Sequence, residues 1–368
     1  MELKITHFAV GQGLCVLVDF RYLLGYEQKR FLGILDMGTT FPLDNKVKSS
    51  IIEINNEIKS NDNTVSYIHI SHLDSDHYNL FSELTELLSI EKVVVGGTDS
   101  NITGIIEEMK NALFDECFPY CINREDAIVY WRVNEYVMNF QNPYFSIIDE
   151  TDTSNYKITT TEGASLHINL LVYRADIYET QSRVGSYLIN SGSSIVLVTL
   201  LNNYGGPISS YLFTGDATSL TLNILNQQNY YFMKEPKAIL IPHHGAVKKI
   251  YETNEEKQIL NAFLNKYQPY VAIVSAKCLA LQNRKGWLHP HYTIIQRYLE
   301  CPLSNFSYPH MVTSFSQSDT LQWHLDAYLP MIHTTYWSHQ LFHPAFQAFD
   351  IQLDMISGNV SFYDSTIV

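Results

Sequence analysis

Hydrophobic positions change their period along the chain, and the changes mark its elements. Leu3 to Val10 alternates apolar and polar side chains and reads as a strand. Gly11-Gln12-Gly13 turns it, and Leu14 to Phe20 returns as the second strand of a hairpin. Phe31 to Leu35 is a third strand, ending in Asp36-Met37-Gly38. Val47 to Lys59 has helical spacing and is broken by Asn61-Asp62-Asn63. Val65 to Ile70 is the next strand. Beyond it Leu80, Phe81, Leu84, Leu87 and Leu88 recur at helical spacing, and Val93-Val94-Val95 is a short buried strand closed by Gly96-Gly97. Strand and helix in alternation predict an α/β arrangement.

Residues 98 to about 163 are less regular. They hold a helical piece around Ile105 to Phe114 and a polar run from Asp149 to Asn155, and read as an inserted or elaborated segment that shapes a cleft or covers a site. From Ser165 the pattern is β again, with strands at Leu166 to Val172, Ser194 to Leu200 and Tyr211 to Phe213. A helix from Ser219 to Gln228, a strand at Ala238 to Ile241, a helix from Glu252 to Tyr267 and a strand at Val271 to Val274 follow. A last helix runs to about Leu299, and residues 306 to 368 hold short strands, among them Ala348 to Met355 and Val360 to Tyr363. No internal repeat, low-complexity tract or clean linker interrupts the 368 residues, so the chain reads as one domain, 1–368.

Composition narrows the partners. With 46% hydrophobic residues the chain can bury a large core. A net charge of -14 argues against a broad basic face for nucleic acid, but not against an enzyme that meets phosphates through metal ions and a few local cations. The 5 cysteines show no paired framework, which suits a reducing compartment. Cys117 and Cys121 have a spacing seen in metal sites, but no second pair follows. Lys4, His7 and Asp19 interrupt the N-terminal apolar stretch, and no segment is apolar enough to span a membrane. The cytoplasm is the expected location.

Candidate chemistry is concentrated in Ser71-His72-Leu73-Asp74-Ser75-Asp76-His77, where two imidazoles and two carboxylates fall within six positions at the end of a strand. Imidazole and carboxylate hold hard or borderline divalent metals. The plain alternative is a polar turn in which Asp74 or Ser75 caps a helix. Other polar groups sit at strand ends too: Asp36, Asp216 after Phe213-Thr214-Gly215, His243 and His244 after Pro242, and the loop holding His289. In layered α/β folds such ends converge on a ligand site. A dinuclear centre needs several ligands with one carboxylate able to bridge, a demand that His72, Asp74, Asp76, His77, Asp216 and one of His243 and His244 meet. Asp36 has a turn-making alternative through an Asx-type bond.

His72-x-Asp74-x-Asp76-His77 resembles the signature of the metallo-β-lactamase superfamily, in the variant with Asp for the second His that is typical of the hydrolase domain of ComEC-type proteins and their soluble relatives. Further blocks are similar and in the family's order: Val10-Gly11-Gln12-Gly13, Leu35-Asp36-Met37-Gly38, Ser194-Ile195-Val196-Leu197, Phe213-Thr214-Gly215-Asp216, Pro242-His243-His244-Gly245, and Asn283 followed by His289-Pro290-His291. The resemblance implies a four-layer αββα sandwich, completed by the C-terminal strands, with two divalent ions at one edge. It implies that His72 and Asp74 hold the first ion, that Asp76, His77 and one His of the 243/244 pair hold the second, that Asp216 bridges, and that Asp36 orients ligands from behind.

The chain departs from the family in two places. Leu14 stands where Asp usually follows the VGQG block, and the third-motif His of conventional members is missing, as it generally is in the ComEC-like branch. The only His in that interval is His167, in mid-strand. The first ion is therefore expected to be weakly held, or completed by water and substrate. Asp74 in place of imidazole hardens that site toward manganese or magnesium relative to zinc.

The expected activity is hydrolysis of a phosphodiester or nucleic acid by a hydroxide activated by two metals, with Asp76, Asp216 and His289 as the catalytic residues. His289 is the candidate for phosphate contact or leaving-group protonation, and Arg284, Lys285, Lys248 and Lys249 are candidate local cations whose alternative is ordinary surface charge. His291 is a candidate helix cap, and His69, His333, His339 and His343 read as structural. Two other readings compete: hydrolysis of a small ester, amide, lactone or cyclic nucleotide, and a non-enzymatic metal-bound scaffold that senses a ligand or binds a partner.

Overall fold

A strand that is apolar on both faces must be covered on both sides. Ile195-Val196-Leu197-Val198 and Val93-Val94-Val95 are such runs, and all of these residues are buried. The computed structural model describes residues 1–10, 13–40, 43, 45–96, 116–123, 128–133, 136–141, 144–148, 156–172, 190–228, 238–275, 291–300, 332–334, 336–337, 347–348 and 350–363.

The chain opens with β1 (Glu2–His7), β2 (Cys15–Leu24) and β3 (Glu27–Met37), followed by α1 (Asn45–Lys59). Then come β4 (Thr64–Val65), β5 (Tyr67–Ile70), β6 (Ser89–Ile90) and β7 (Lys92–Val95). β8 (Ile128–Val133), β9 (Tyr136–Gln141) and β10 (Tyr144–Ile148) form a meander. β11 (Tyr156–Thr159), β12 (Ser165–Val172), β13 (Ile195–Leu201) and β14 (Pro207–Phe213) lead to α2 (Ser219–Gln227). β15 (Ala238–Leu240), α3 (Asn254–Tyr267), β16 (Val271–Val274), α4 (Tyr292–Glu300) and β17 (Ile332–Thr334) alternate. β18 (Tyr336–Trp337), β19 (Gln347–Ala348), β20 (Asp350–Asp354) and β21 (Val360–Tyr363) end the described chain.

One ten-stranded sheet takes the order β10-β9-β8-β7-β5-β3-β2-β1-β20-β21, and a seven-stranded sheet takes β11-β12-β13-β14-β15-β16-β17. Their inner faces share one apolar layer. Val16, Val18, Phe20, Leu35 and Val94 come from the first sheet, and Leu166, Val196, Val198, Phe213, Leu240 and Ile273 from the second. On the outer face of the first sheet, Ile34, Ile68, Val93 and Val95 pack with Val47, Ile51, Ile54 and Ile58 of α1. On the outer face of the second, Leu197, Leu212, Ile239 and Val274 pack with Leu222 and Leu225 of α2, Leu260 and Phe263 of α3, and Ile294, Ile295 and Tyr298 of α4. Neighbours such as Val196 and Leu197 thus face opposite layers, as the two-residue period of a strand requires. The layers are helix, sheet, sheet, helix: the αββα sandwich expected from the sequence.

Within it β3, β5, β7 and β8 are parallel, and so are β14, β15, β16 and β17. Parallel strands place their C-terminal ends at one edge, which is how residues far apart in sequence come to share a site.

Three expectations change. The helix anticipated from Leu80 to Leu88 is absent; the segment makes one short 3₁₀ turn, Phe81–Glu83, after another at Ser75–His77 in the preceding loop. Leu80, Phe81, Leu84 and Leu87 are nonetheless buried against the outer face of the first sheet. The described residues between 98 and 163 are more regular than expected, because β8 to β10 extend the first sheet and β11 begins the second. Thr64–Val65 does not continue β5 but pairs with β6 in a separate ribbon. The helix around Ile105 to Phe114 and the polar run from Asp149 to Asn155 lie outside the described residues. No described helix is long and apolar enough to cross a membrane.

Candidate metal centre

Ser71 follows the last residue of β5, and the loop from there to His77 lies across the ends of both sheets. Its path is fixed by close backbone contact. A Cβ on Gly38 would stand 2.3 Å from the carbonyl carbon of Asp76 and 2.5 Å from the His77 nitrogen, so the loop can approach β3 only over a glycine. Gly215 has φ +49, and a Cβ there would meet Ser71 Cβ at 2.8 Å. That glycine lets β14 deliver Asp216 against the same loop. The Leu14 amide donates to the Asp76 carbonyl at 3.2 Å.

Asp36 is buried beneath the loop and organises it. Its Oδ1 accepts the Ser71 amide at 2.6 Å, and its Oδ2 accepts the Ser71 hydroxyl at 2.6 Å. The same Oδ2 lies 2.7 Å from Nδ1 of His77. His72 turns its Nδ1 to the Ser71 hydroxyl at 3.1 Å. On the other side, Nδ1 of His244 donates to the Ser275 carbonyl at 2.7 Å, at the end of β16. A ring nitrogen that donates its hydrogen outward leaves a lone pair on the opposite nitrogen, so the tautomers of His77 and His244 follow from these bonds.

The opposite nitrogens converge. Nε2 of His77 and Nε2 of His244 each lie 3.4 Å from Oδ1 of Asp216, and His244 Nε2 lies 3.6 Å from Oδ2 of Asp76. Nε2 of His72 lies 3.5 Å from Oδ2 of Asp74. These separations are long for hydrogen bonds. Two donors sharing a tetrahedral ion at about 2.1 Å stand roughly 3.4 Å apart. The fit is sharpened by what the atoms lack: Nε2 of His72, His77 and His244 and Oδ1 of Asp216 are all buried without a hydrogen-bond partner. Buried polar atoms are normally satisfied, and a cluster of orphaned lone pairs matches a cation. Two groups have ligand atoms mutually within 4.8 Å: His72, His77 and Asp216, and Asp76, His77 and His244.

Electrostatics agree with that donor set. Burial opposes the charged form of Asp216, but His244, His77 and His243 outweigh it and hold the carboxyl well below its usual range. Burial likewise opposes protonation of His77, yet Asp216 and Asp36 raise its pKa well above the ordinary value. His244 is raised against burial by Asp216 and Asp76. Asp76 is lowered against burial by His244 and His77. Cations are thus favoured at these nitrogens, and a metal ion must displace protons to take its place.

The geometry also places the remaining candidates. Asp74 stands at the N-cap position of the 3₁₀ turn that follows it, but its side chain makes no capping bond. His243 has its Nε2 3.8 Å from Oδ2 of Asp216, the oxygen that His244 does not face. His167 bonds Ser165 at 3.0 Å and belongs to neither metal group. His291 caps the start of α4, its Nδ1 accepting the Thr293 amide at 3.2 Å. His69 is buried, with Nε2 2.9 Å from the Ser194 hydroxyl. Lys248 is exposed, whereas Lys249 is buried. His289, Arg284, Lys285, Asn283, His339 and His343 lie outside the described residues, and no side chain is described for His333. Cys117 and Cys121 are buried, form no disulfide among the described residues and belong to no metal group there; the Cys121 thiol donates to the Leu88 carbonyl at 3.5 Å.

Two contributors, Asn190 and Ser193, had no sequence signal of their own, and Asn190 brings in Lys249, one of the candidate cations. Asn190 donates its Nδ2 to Oδ2 of Asp216 at 3.0 Å, and Lys249 Nζ donates to the Asn190 Oδ1 at 2.8 Å, which fixes the amide's orientation. Burial brings the Lys249 ammonium down to about 8, against the pull of Asp216. The Ser193 hydroxyl accepts the Asp216 amide at 3.0 Å. The visible trace of these residues is the polar run Asn190-Ser191-Gly192-Ser193-Ser194, which leads into β13. Because β13 is antiparallel to β14, that run ends up beside Asp216.

No family model matches the chain, and no curated protein matches it. Among solved structures, the chain is similar to a crystal structure of a long form RNase Z from yeast, at 10% identity over 74% of this chain, with a TM-score of 0.41. It spans 37% of that RNase Z chain, little more than a third of its length. It is also similar to the unliganded yeast PDE1, at 10% identity over 81% of this chain and 93% of that one, with a TM-score of 0.38.

Proposed function

We propose that the chain is a metal-dependent hydrolase of the metallo-β-lactamase superfamily, in the ComEC-like branch, and that it cleaves phosphodiesters. One observation carries the reading: the orphaned Nε2 atoms of His72, His77 and His244 converge with the orphaned Oδ1 of Asp216 at the edge of an αββα sandwich. His72, Asp74, Asp76, His77, Asp216 and the His243-His244 pair are the proposed holders of two divalent ions. Mixed imidazole and carboxylate donors suit manganese or zinc, and magnesium is admitted by the carboxylates. Ions bound there would supply Lewis-acid charge against a phosphoryl group and make a water nucleophilic at neutral pH.

The chain's own residues set up that chemistry. Asp36 and Ser275 hold the Nδ1 hydrogens of His77 and His244 and so keep both lone pairs aimed inward. Asp74, at 34% side-chain exposure, stands on the open side where substrate enters. Lys249 adds a built-in cation beside Asp216, which a phosphodiester needs on a chain of net charge -14. His289 is proposed to contact the phosphate or protonate the leaving group.

The test is hydrolysis of bis(p-nitrophenyl) phosphate and of single- and double-stranded DNA in Mn²⁺, by the unaltered chain and by a chain carrying Asp76→Ala with Asp216→Ala. The proposal expects cleavage that the double substitution abolishes. Turnover of bis(p-nitrophenyl) phosphate or a cyclic nucleotide without DNA cleavage would assign a small-molecule substrate instead. Ion binding without turnover of any substrate would assign a sensing or partner-binding role.

A further inference from the structure

The two consecutive histidines of Pro242-His243-His244-Gly245 do not share a target. Both have a left-handed backbone, His243 at φ 51, ψ 46 and His244 at φ 52, ψ 21. Left-handed non-glycine residues are uncommon, and two in succession at a cluster of charged groups mark backbone held for a purpose. The contortion is pinned: the His243 amide donates to the Gly215 carbonyl at 3.1 Å, and the Ala246 amide to the His243 carbonyl at 2.8 Å. Its effect is to give each oxygen of one carboxylate its own imidazole. His244 Nε2 faces Oδ1 of Asp216 at 3.4 Å, on the side of Asp76 and His77. His243 Nε2 faces Oδ2 at 3.8 Å and interacts electrostatically with His72 and Lys249.

We propose that the pair is divided between the two ions, with His244 on the ion of Asp76 and His77, and His243 completing the ion of His72 and Asp74. This rests on the metal-dependent reading above. It answers a shortage that the sequence shows: the first site has one imidazole and no third-motif His, and His167 is engaged with Ser165. With His243 assigned, each ion receives two nitrogens and two carboxylates, Asp216 being shared. His72, His243, Asp74 and Asp216 form one set, and His77, His244, Asp76 and Asp216 the other. Asn190 occupies one lone pair of Oδ2 and leaves the other for the ion. The first site is then no weaker in donors than the second.

Ion counting tests the assignment without reference to activity. Metal-free full-length protein is titrated with Mn²⁺ by calorimetry, and the loaded protein is examined by electron paramagnetic resonance. The unaltered chain should bind two ions and show an exchange-coupled spectrum, as expected for ions about 3.5–4 Å apart. His243→Gly keeps the left-handed backbone allowed and removes the donor. It should retain one ion at near-unaltered affinity, weaken the other about tenfold or more, and lose the coupled spectrum. Two ions of unchanged affinity in His243→Gly would overturn the assignment while leaving the metal-dependent reading intact. Failure of the unaltered chain to bind Mn²⁺ at all would overturn both. If the glycine variant loses its far-ultraviolet circular dichroism, His243→Asn, which also tolerates a left-handed backbone, must show the same weakening of one ion; two ions of unchanged affinity in it would overturn the assignment.

Discussion

At the scale of single residues, the site depends on a buried group that touches no proposed ion. Asp36 holds Ser71 by both its amide and its hydroxyl, and His77 by Nδ1. Asp36→Asn keeps the shape but replaces an acceptor by an amide that cannot serve all three donors. The rings of His77 and, through Ser71, His72 then lose their fixed orientation. Ion affinity should fall about 10- to 100-fold with the number of ions unchanged, as calorimetric titration would show. A fall in ion number with unaltered affinity would move Asp36 into the ligand set. Sequence reading reached Asp36 through its place at a strand end and through the family resemblance. The roles of Ser71 and Asn190 are not legible in the sequence, because hydroxyl and amide side chains occur in every loop and only their contacts single them out.

At the scale of elements, apolar runs were legible wherever burial on two faces left a continuous signature, as in β7 and β13. The segment after His77 was not. Leu80, Phe81, Leu84 and Leu87 keep helical spacing and are buried, yet two tertiary ties override the helix. The Thr39 amide donates to Asn79 Oδ1 at 2.8 Å, and Asn79 Nδ2 returns to the Thr39 carbonyl at 2.7 Å. The Leu80 amide donates to the Met37 carbonyl at 3.0 Å. With Asn79 and Leu80 tied to the end of β3, the Phe81, Glu83 and Leu84 amides donate to carbonyls three residues back, so the segment tightens into a 3₁₀ turn and the period survives while the helix does not. The same end of β3 carries Gly38, and Gly38→Ala forces a methyl onto the Asp76–His77 peptide. Because the obstructing atoms are backbone, the ligand loop must move. The variant should lose about 1–3 kcal/mol of stability in urea unfolding and bind Mn²⁺ more weakly. Unchanged ion affinity would mean that the loop does not depend on this close approach.

At the scale of the whole molecule, the sandwich buries titratable groups that are not among the proposed ion holders. His7 and His69 are fully buried, and burial lowers their pKa values to about 3 and about 4. In the unfolded chain both take up protons near pH 6.5, whereas the folded chain keeps them neutral to much lower pH. Their contribution to stability is therefore complete above pH 6.5 and declines as pH falls toward 4, by about 1.4 kcal/mol per pH unit for each. His7→Gln should reduce the acid-side slope of stability against pH by about that amount, read from urea unfolding between pH 6.5 and 4. An unaltered slope would mean that His7 is protonated in the folded state. Sequence placed both histidines on strands, but their burial comes from the opposing sheet, which no local pattern reveals.

The central claim is that this edge of the sandwich is a metal-dependent phosphodiester-cleaving site. The most direct measurement is hydrolysis of bis(p-nitrophenyl) phosphate by chelator-stripped protein as Mn²⁺ is added back, alongside the Asp76→Ala, Asp216→Ala chain. The account predicts no turnover when stripped, turnover that rises as ions bind, and none at any Mn²⁺ concentration in the doubly substituted chain. Turnover that persists in chelator, or that survives the loss of both carboxylates, would contradict it.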